Sequence, residues 1–121
     1  MKKILFALLL GVLFVPLRSW AMNTEVTLIL LAEEESGTQD NIRVLDVNNK
    51  YSYGRLQFQL GTFMQYGKLY GILPDELTEA EGRLLIHNPK VQKAIARLMI
   101  ENGLACKPVG WYNSCKKLGI I

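Results

Sequence analysis

The chain of 121 residues is short of the side chains that most enzyme chemistry uses. It carries one histidine, His87, and two cysteines, Cys106 and Cys115. A Ser-His-Asp or Cys-His site would have to use that single histidine, and no nucleophile motif surrounds any Ser or Cys. Nor is there a phosphate loop or a dinucleotide fingerprint. Two cysteines without neighbouring histidines make a poor zinc site. No metal and no cofactor is therefore expected. Internal repeats, low-complexity tracts and linkers are also absent.

Long apolar runs are missing too. The longest, Ile4 to Val15, has 12 residues, against the roughly 20 needed to span a bilayer. It follows Lys2-Lys3 and precedes small residues at Ser19 and Ala21, the three parts of a secretory signal. Residues 1–21 read as a signal peptide cleaved after Ala21, and residues 22–121 as one exported domain, periplasmic or secreted. The alternative is an uncleaved N-terminal anchor, because Pro16, Arg18 and Trp20 make an imperfect cleavage region. Only then would the protein be held at a membrane.

The apparent basic character belongs mostly to that segment. Lys2, Lys3 and Arg18 are three of 14 basic residues, which leaves 11 to balance 11 acidic ones. Charge therefore gives no support to a nucleic-acid partner. About 100 residues make one small core with little margin, and a monomer is expected. Both cysteines fall in the exported part, where an even count predicts a disulfide closing a small loop.

Local signals predict a mainly α domain of four or five helices. Asn23-Thr24 caps a first helix through "EVTLILLAEEES", with Gly37 as its stop. Alternation around Ile42 to Leu45 and turn residues at Asn48-Asn49 predict a long loop or short hairpin. Thr62 is placed to cap the next helix. Thr78-x-x-Glu81 is a capping box, and Asn88-Pro89 opens a helix with an apolar stripe at Val91, Ala94, Ile95, Leu98 and Met99. The tail "WYNSCKKLGII" reads as a short helix or turn tied back by the cysteines.

With nucleophiles scarce, carboxylates remain. Glu33, Glu34 and Glu35 crowd the end of the first helix, where the partial negative charge of the C-terminus disfavours them. A solvated acidic edge is the simplest reading. Crowding and the dipole also raise the proton affinity of any member, which suits a general acid. Spacing does not single out one glutamate: Leu28, Leu31 and Ala32 share a face with Glu35, while Val26, Ile29 and Leu30 share one with Glu33.

The ordered set "ILLAEEESG", "SYGRLQFQLGTF", "NPKVQKAIARLMIENG" and "GWYNSC" resembles the lysozyme-like fold of the transglycosylase SLT type, over residues 23–118. The resemblance implies that Glu35 is the catalytic glutamate, followed by Ser36. It aligns Gly54-Arg55-Leu56-Gln57 with the family's Gly-Leu-Met-Gln, and "GTF" at Gly61 with the next helix. Two features differ: Arg55-Leu56 replaces Leu-Met, and Trp111-Tyr112-Asn113 stands where the family has Ala-Tyr-Asn-Ala-Gly.

The implied substrate is the peptidoglycan glycan strand. One glutamate acts as acid and then base, and the muramyl C6 hydroxyl closes onto C1 to leave a 1,6-anhydro end. Ser52, Tyr53, Gly54, Gln57 and Tyr112 are the expected substrate-binding residues, with Gln59 offering a further polar group. Asp40 and Asp46 are the nearest second carboxylates and read as turn residues, which favours the transglycosylase over a hydrolase. A catalytically silent murein-binding module on the same scaffold is the third reading.

Overall fold

The computed structural model describes residues 23–121; the expected signal segment lies outside the described residues. The described chain folds into five helices and one small sheet: α1 Thr24–Ser36, β1 Arg43–Leu45, β2 Tyr51–Tyr53, β3 Phe58–Gln59, α2 Leu60–Leu69, α3 Glu79–Leu85, α4 Pro89–Glu101 and α5 Tyr112–Lys117. About half of it is helical. "Mainly α" is too simple, because the segment after α1 holds a three-stranded antiparallel sheet in the order β1-β2-β3. No described helix is long and apolar enough to cross a membrane.

The helix boundaries follow local chemistry. The Asn23 side chain accepts from Val26 N–H, and Gly37 closes α1 in the left-handed region. Thr78 and Glu81 form a reciprocal capping box, and Asn88 caps α4 ahead of Pro89. The expectation at Thr62 needs correcting. Helix α2 begins at Leu60 with Gln59 as N-cap, and Gln59 makes no side-chain cap bond. Its amide is engaged by Asp46 and Asn48 instead, and β3 runs straight into the helix.

One core joins the elements. Leu28, Leu31 and Ala32 of α1, Phe63 of α2, and Ile95, Ala96 and Met99 of α4 are buried together with Leu56, Phe58, Trp111 and Cys115. Each large apolar side chain so buried contributes about 1.5–3 kcal/mol before entropy is counted. Phe58 stacks edge-on against both Phe63 and Trp111, at 5.8 and 5.3 Å. Cys106 and Cys115 are disulfide-bonded, which ties the tail back and is compatible with export.

A polar pin lies inside this core. Gln92 of α4 is fully buried. Its carbonyl oxygen accepts from Leu56 N–H at 2.8 Å, and its amide donates to the carbonyls of Tyr53 and Ile86. Gly54 makes room for it: a Cβ there would come within 2.6 Å of the Gln92 amide, at a φ of +73°. Replacing Gln92 by leucine removes three buried hydrogen bonds, the one to Leu56 N–H and those to the Tyr53 and Ile86 carbonyls. We expect a loss of at least about 3 kcal/mol, read by urea unfolding.

Candidate active site

Three elements converge on the Arg55–Gln57 loop and hold it against the end of α1. The buried Ser36 hydroxyl donates to Arg55 C=O at 2.7 Å, the Trp111 indole N–H donates to Leu56 C=O at 2.7 Å, and Gln92 takes Leu56 N–H. Arg55 forks onto Asp40 at 2.8 and 3.2 Å. The serine after the glutamates is therefore a tether between helix end and loop.

Glu35 points into a cleft of about 510 Å³. One wall comes from the sheet and its turn, with Asp46, Asn48, Ser52 and Gln57. The other comes from the tail, Pro108 to Ser114. Glu33 and Glu34 turn outward, and Glu34 lies 3.8 Å from Lys117. Glu35 is half-buried, and the Ser114 hydroxyl donates to its carboxylate.

Burial pushes the Glu35 carboxyl above the ordinary carboxylate range. The Ser114 hydrogen bond opposes that shift. The charges of Asp46 and then Glu34 add to it, and Lys117 pulls slightly the other way. Like-charge crowding within the triplet is thus a minor cause. Desolvation is the major one, and Asp46, on the sheet side of the cleft, contributes more than the neighbouring glutamate.

Asp46 has two roles at once. Its backbone shapes the β1–β2 turn, with its N–H donating to Lys50 C=O and its C=O accepting from Asn49 N–H, as a turn residue should. Its carboxylate lines the cleft, where it accepts from the Ser52 hydroxyl and, at 2.7 Å, from the Gln59 amide. Asp40 is engaged by Arg55 and is not among the residues that line the cleft.

Of the residues expected at the substrate, Ser52, Gln57 and Tyr112 line this cleft with Glu35. Gln57 holds a left-handed φ of +53°, and its amide donates to Gly54 C=O at 2.9 Å. It therefore braces its own loop while facing the cleft. Tyr112 is exposed on the tail wall with the Lys116 ammonium 5.5 Å from its ring. Tyr53 opens on a neighbouring groove and packs edge-on against His87. Gly54 is buried beneath the loop, where it serves Gln92.

Trp111 is largely buried, its ring set into the core and its N–H used by Leu56. Among the described residues, no group of three or more His, Cys, Asp or Glu side chains is arranged to hold a metal ion. No protein-family model, no curated protein and no solved structure matches the chain.

The arrangement is a single carboxyl acid, kept protonated to higher pH than usual, beside polar groups suited to hydroxyls and amides. The Ser114 hydrogen bond favours the ionised form, so Ser114→Ala raises the proton affinity of Glu35 further. We expect the alkaline limb of any activity that needs protonated Glu35 to move to higher pH, read from a pH–rate profile. An unmoved limb would mean that Ser114 does not act on Glu35 in solution.

Proposed function

We propose that this protein cleaves the β-1,4 glycosidic bonds of peptidoglycan strands on a lysozyme-like scaffold, with Glu35 as the acid. The observation that carries the reading is the half-buried Glu35 with raised proton affinity, facing a polar cleft. Protonated Glu35 gives its proton to the bridging oxygen as the bond to C1 breaks. The resulting carboxylate then takes the proton of the muramyl C6 hydroxyl as that oxygen closes onto C1. The product is a 1,6-anhydro end and water is not consumed, which makes the enzyme a lytic transglycosylase.

Asp46 favours a second reading. A carboxylate in the same cleft, already held by Ser52 and Gln59, suits a residue that orients or deprotonates water, as two-carboxylate hydrolases require. Mass spectrometry of fragments released from purified peptidoglycan separates the two. Anhydro ends, with most activity kept in Asp46→Asn, support the transglycosylase. Reducing ends, with a loss of about 100-fold or more in Asp46→Asn, support the hydrolase. Retention on insoluble murein with no fragments released would overturn both readings in favour of a binding module.

A further inference from the structure

A second groove, of about 750 Å³, adjoins the Glu35 cleft and shares Gln59 and Thr62 with it. It runs past Tyr51 and Tyr53 of β2 toward Arg83 of α3. The two spaces differ in charge. The charged side chains lining the cleft are Glu35 and Asp46, both acidic. The charged side chains lining the groove are Lys50, Arg83 and Glu79, and a further cation, Arg43, stands over the Tyr51 ring at 4.4 Å.

Two of these three cations are unspent. Arg83 pairs with Glu79 at 2.7 Å, whereas Arg43 and Lys50 form no ion pair among the described residues. Stacking on Tyr51 holds the Arg43 guanidinium in place and leaves its planar fork of donors facing solvent. A guanidinium fixed in this way takes a carboxylate with little further ordering, as a bidentate pair.

We propose that this groove binds a carboxylate-bearing peptide, the acidic stem that a peptidoglycan strand carries beside its sugars. The inference rests on the glycan-cleavage reading and adds the substrate's second half to it. A neutral sugar chain meets no electrostatic barrier at a cleft whose charged-type side chains are both acidic, but an anionic stem does. Screening confines such forces to about 8 Å at physiological salt, so an anion subsite is useful only when it adjoins the cleft. The shared Gln59–Thr62 border meets that requirement.

The test uses the full chain carrying Glu35→Gln, so that nothing is cleaved. A dye-labelled alanyl-glutamate peptide with free carboxylates is titrated by fluorescence anisotropy beside its amidated form, and peptide-stripped glycan strands are measured separately. We expect the free acid to bind at least about tenfold more tightly than the amide, as one charge-assisted hydrogen bond would give. In Arg43→Ala/Lys50→Ala/Arg83→Ala, whose altered side chains are exposed, that preference should disappear. Affinity for stripped glycan should stay within about twofold, the scale of exposed charges remote from a contact.

Equal binding of acid and amide, or an undiminished preference in the triple variant, overturns the proposal. So does an equal loss of peptide and glycan binding. Failure of the cleavage reading looks different: wild-type protein would release no murein fragments, whatever the peptide preference.

Discussion

Glu35→Gln is expected to abolish release of soluble fragments from peptidoglycan, by about 100-fold or more, while the chain stays folded. Glutamine keeps the shape and can still accept the Ser114 hydroxyl, but it has no proton to give to a glycosidic oxygen. The same substitution carries a second, thermodynamic signature. Burial raises the Glu35 pKa above its ordinary 4.5, so the folded chain binds that proton more tightly than the unfolded chain. The resulting stability is fully present below about pH 4.5, the unfolded value, and is lost as pH rises through the raised folded value.

The wild type therefore loses this stability as pH rises from about 4.5 toward neutral, and the glutamine variant, which does not titrate, has none of it to lose. Calorimetry should find Glu35→Gln melting above wild type near pH 7, with the difference shrinking as pH falls toward about 4. Full activity in the variant would remove Glu35 from the mechanism. A lower melting temperature at pH 7, with none of this pH dependence, would mean that the carboxylate is stabilising and not held against its preference.

The second large effect concerns the tail. Cys106 and Cys115 are nine residues apart and disulfide-bonded, and the loop they close contains Pro108 to Ser114, one whole wall of the cleft. Cys106→Ser/Cys115→Ser should lose about 2–3 kcal/mol, the chain-entropy value for so short a loop. In a domain of this size that lowers the melting temperature by about 10 °C or more.

Activity should also fall well below the melting transition, because the wall that presents Ser114 to Glu35 is no longer closed. A thiol reductant should reproduce both effects in wild type and change nothing in the variant. Unchanged melting and unchanged activity would mean that backbone bonds alone, such as Trp111 N–H to Ala105 C=O, are enough to hold the wall.

The helix ends were legible in the sequence because capping is local. Asn23, Gly37, Thr78 with Glu81, and Asn88 with Pro89 each act within a few residues of where they stand. The choice among the three glutamates was not settled by spacing. Helix α1 has apolar residues on more than one face, and only packing decides which face is covered. The fold buries Leu28, Leu31 and Ala32 and leaves Ile29 at 66% exposure, so Glu35 extends the buried stripe and Glu33 does not.

Three features could not be read from the sequence. Strand β3 is two residues long, too short for alternation to register. Asp46 was legible as a turn residue, but the position of its side chain depends on strand register and on Ser52 and Gln59. Ser114 stands 79 residues from the carboxylate it serves, with no local pattern to mark it. The capping threonine was misplaced because Thr62 looks like a cap in isolation, and the pairing that carries β3 into α2 is invisible there.

That last separation in the chain sets an order of events. The glutamate lies on the first described helix and its hydroxyl partner on the last, so synthesis delivers the acid well before its partner. A chain stopped before residue 114 contains Glu35 but cannot complete its surroundings. For a protein whose proposed action is to cut a load-bearing polymer, the topology withholds the complete acid site until residue 114 has joined the fold.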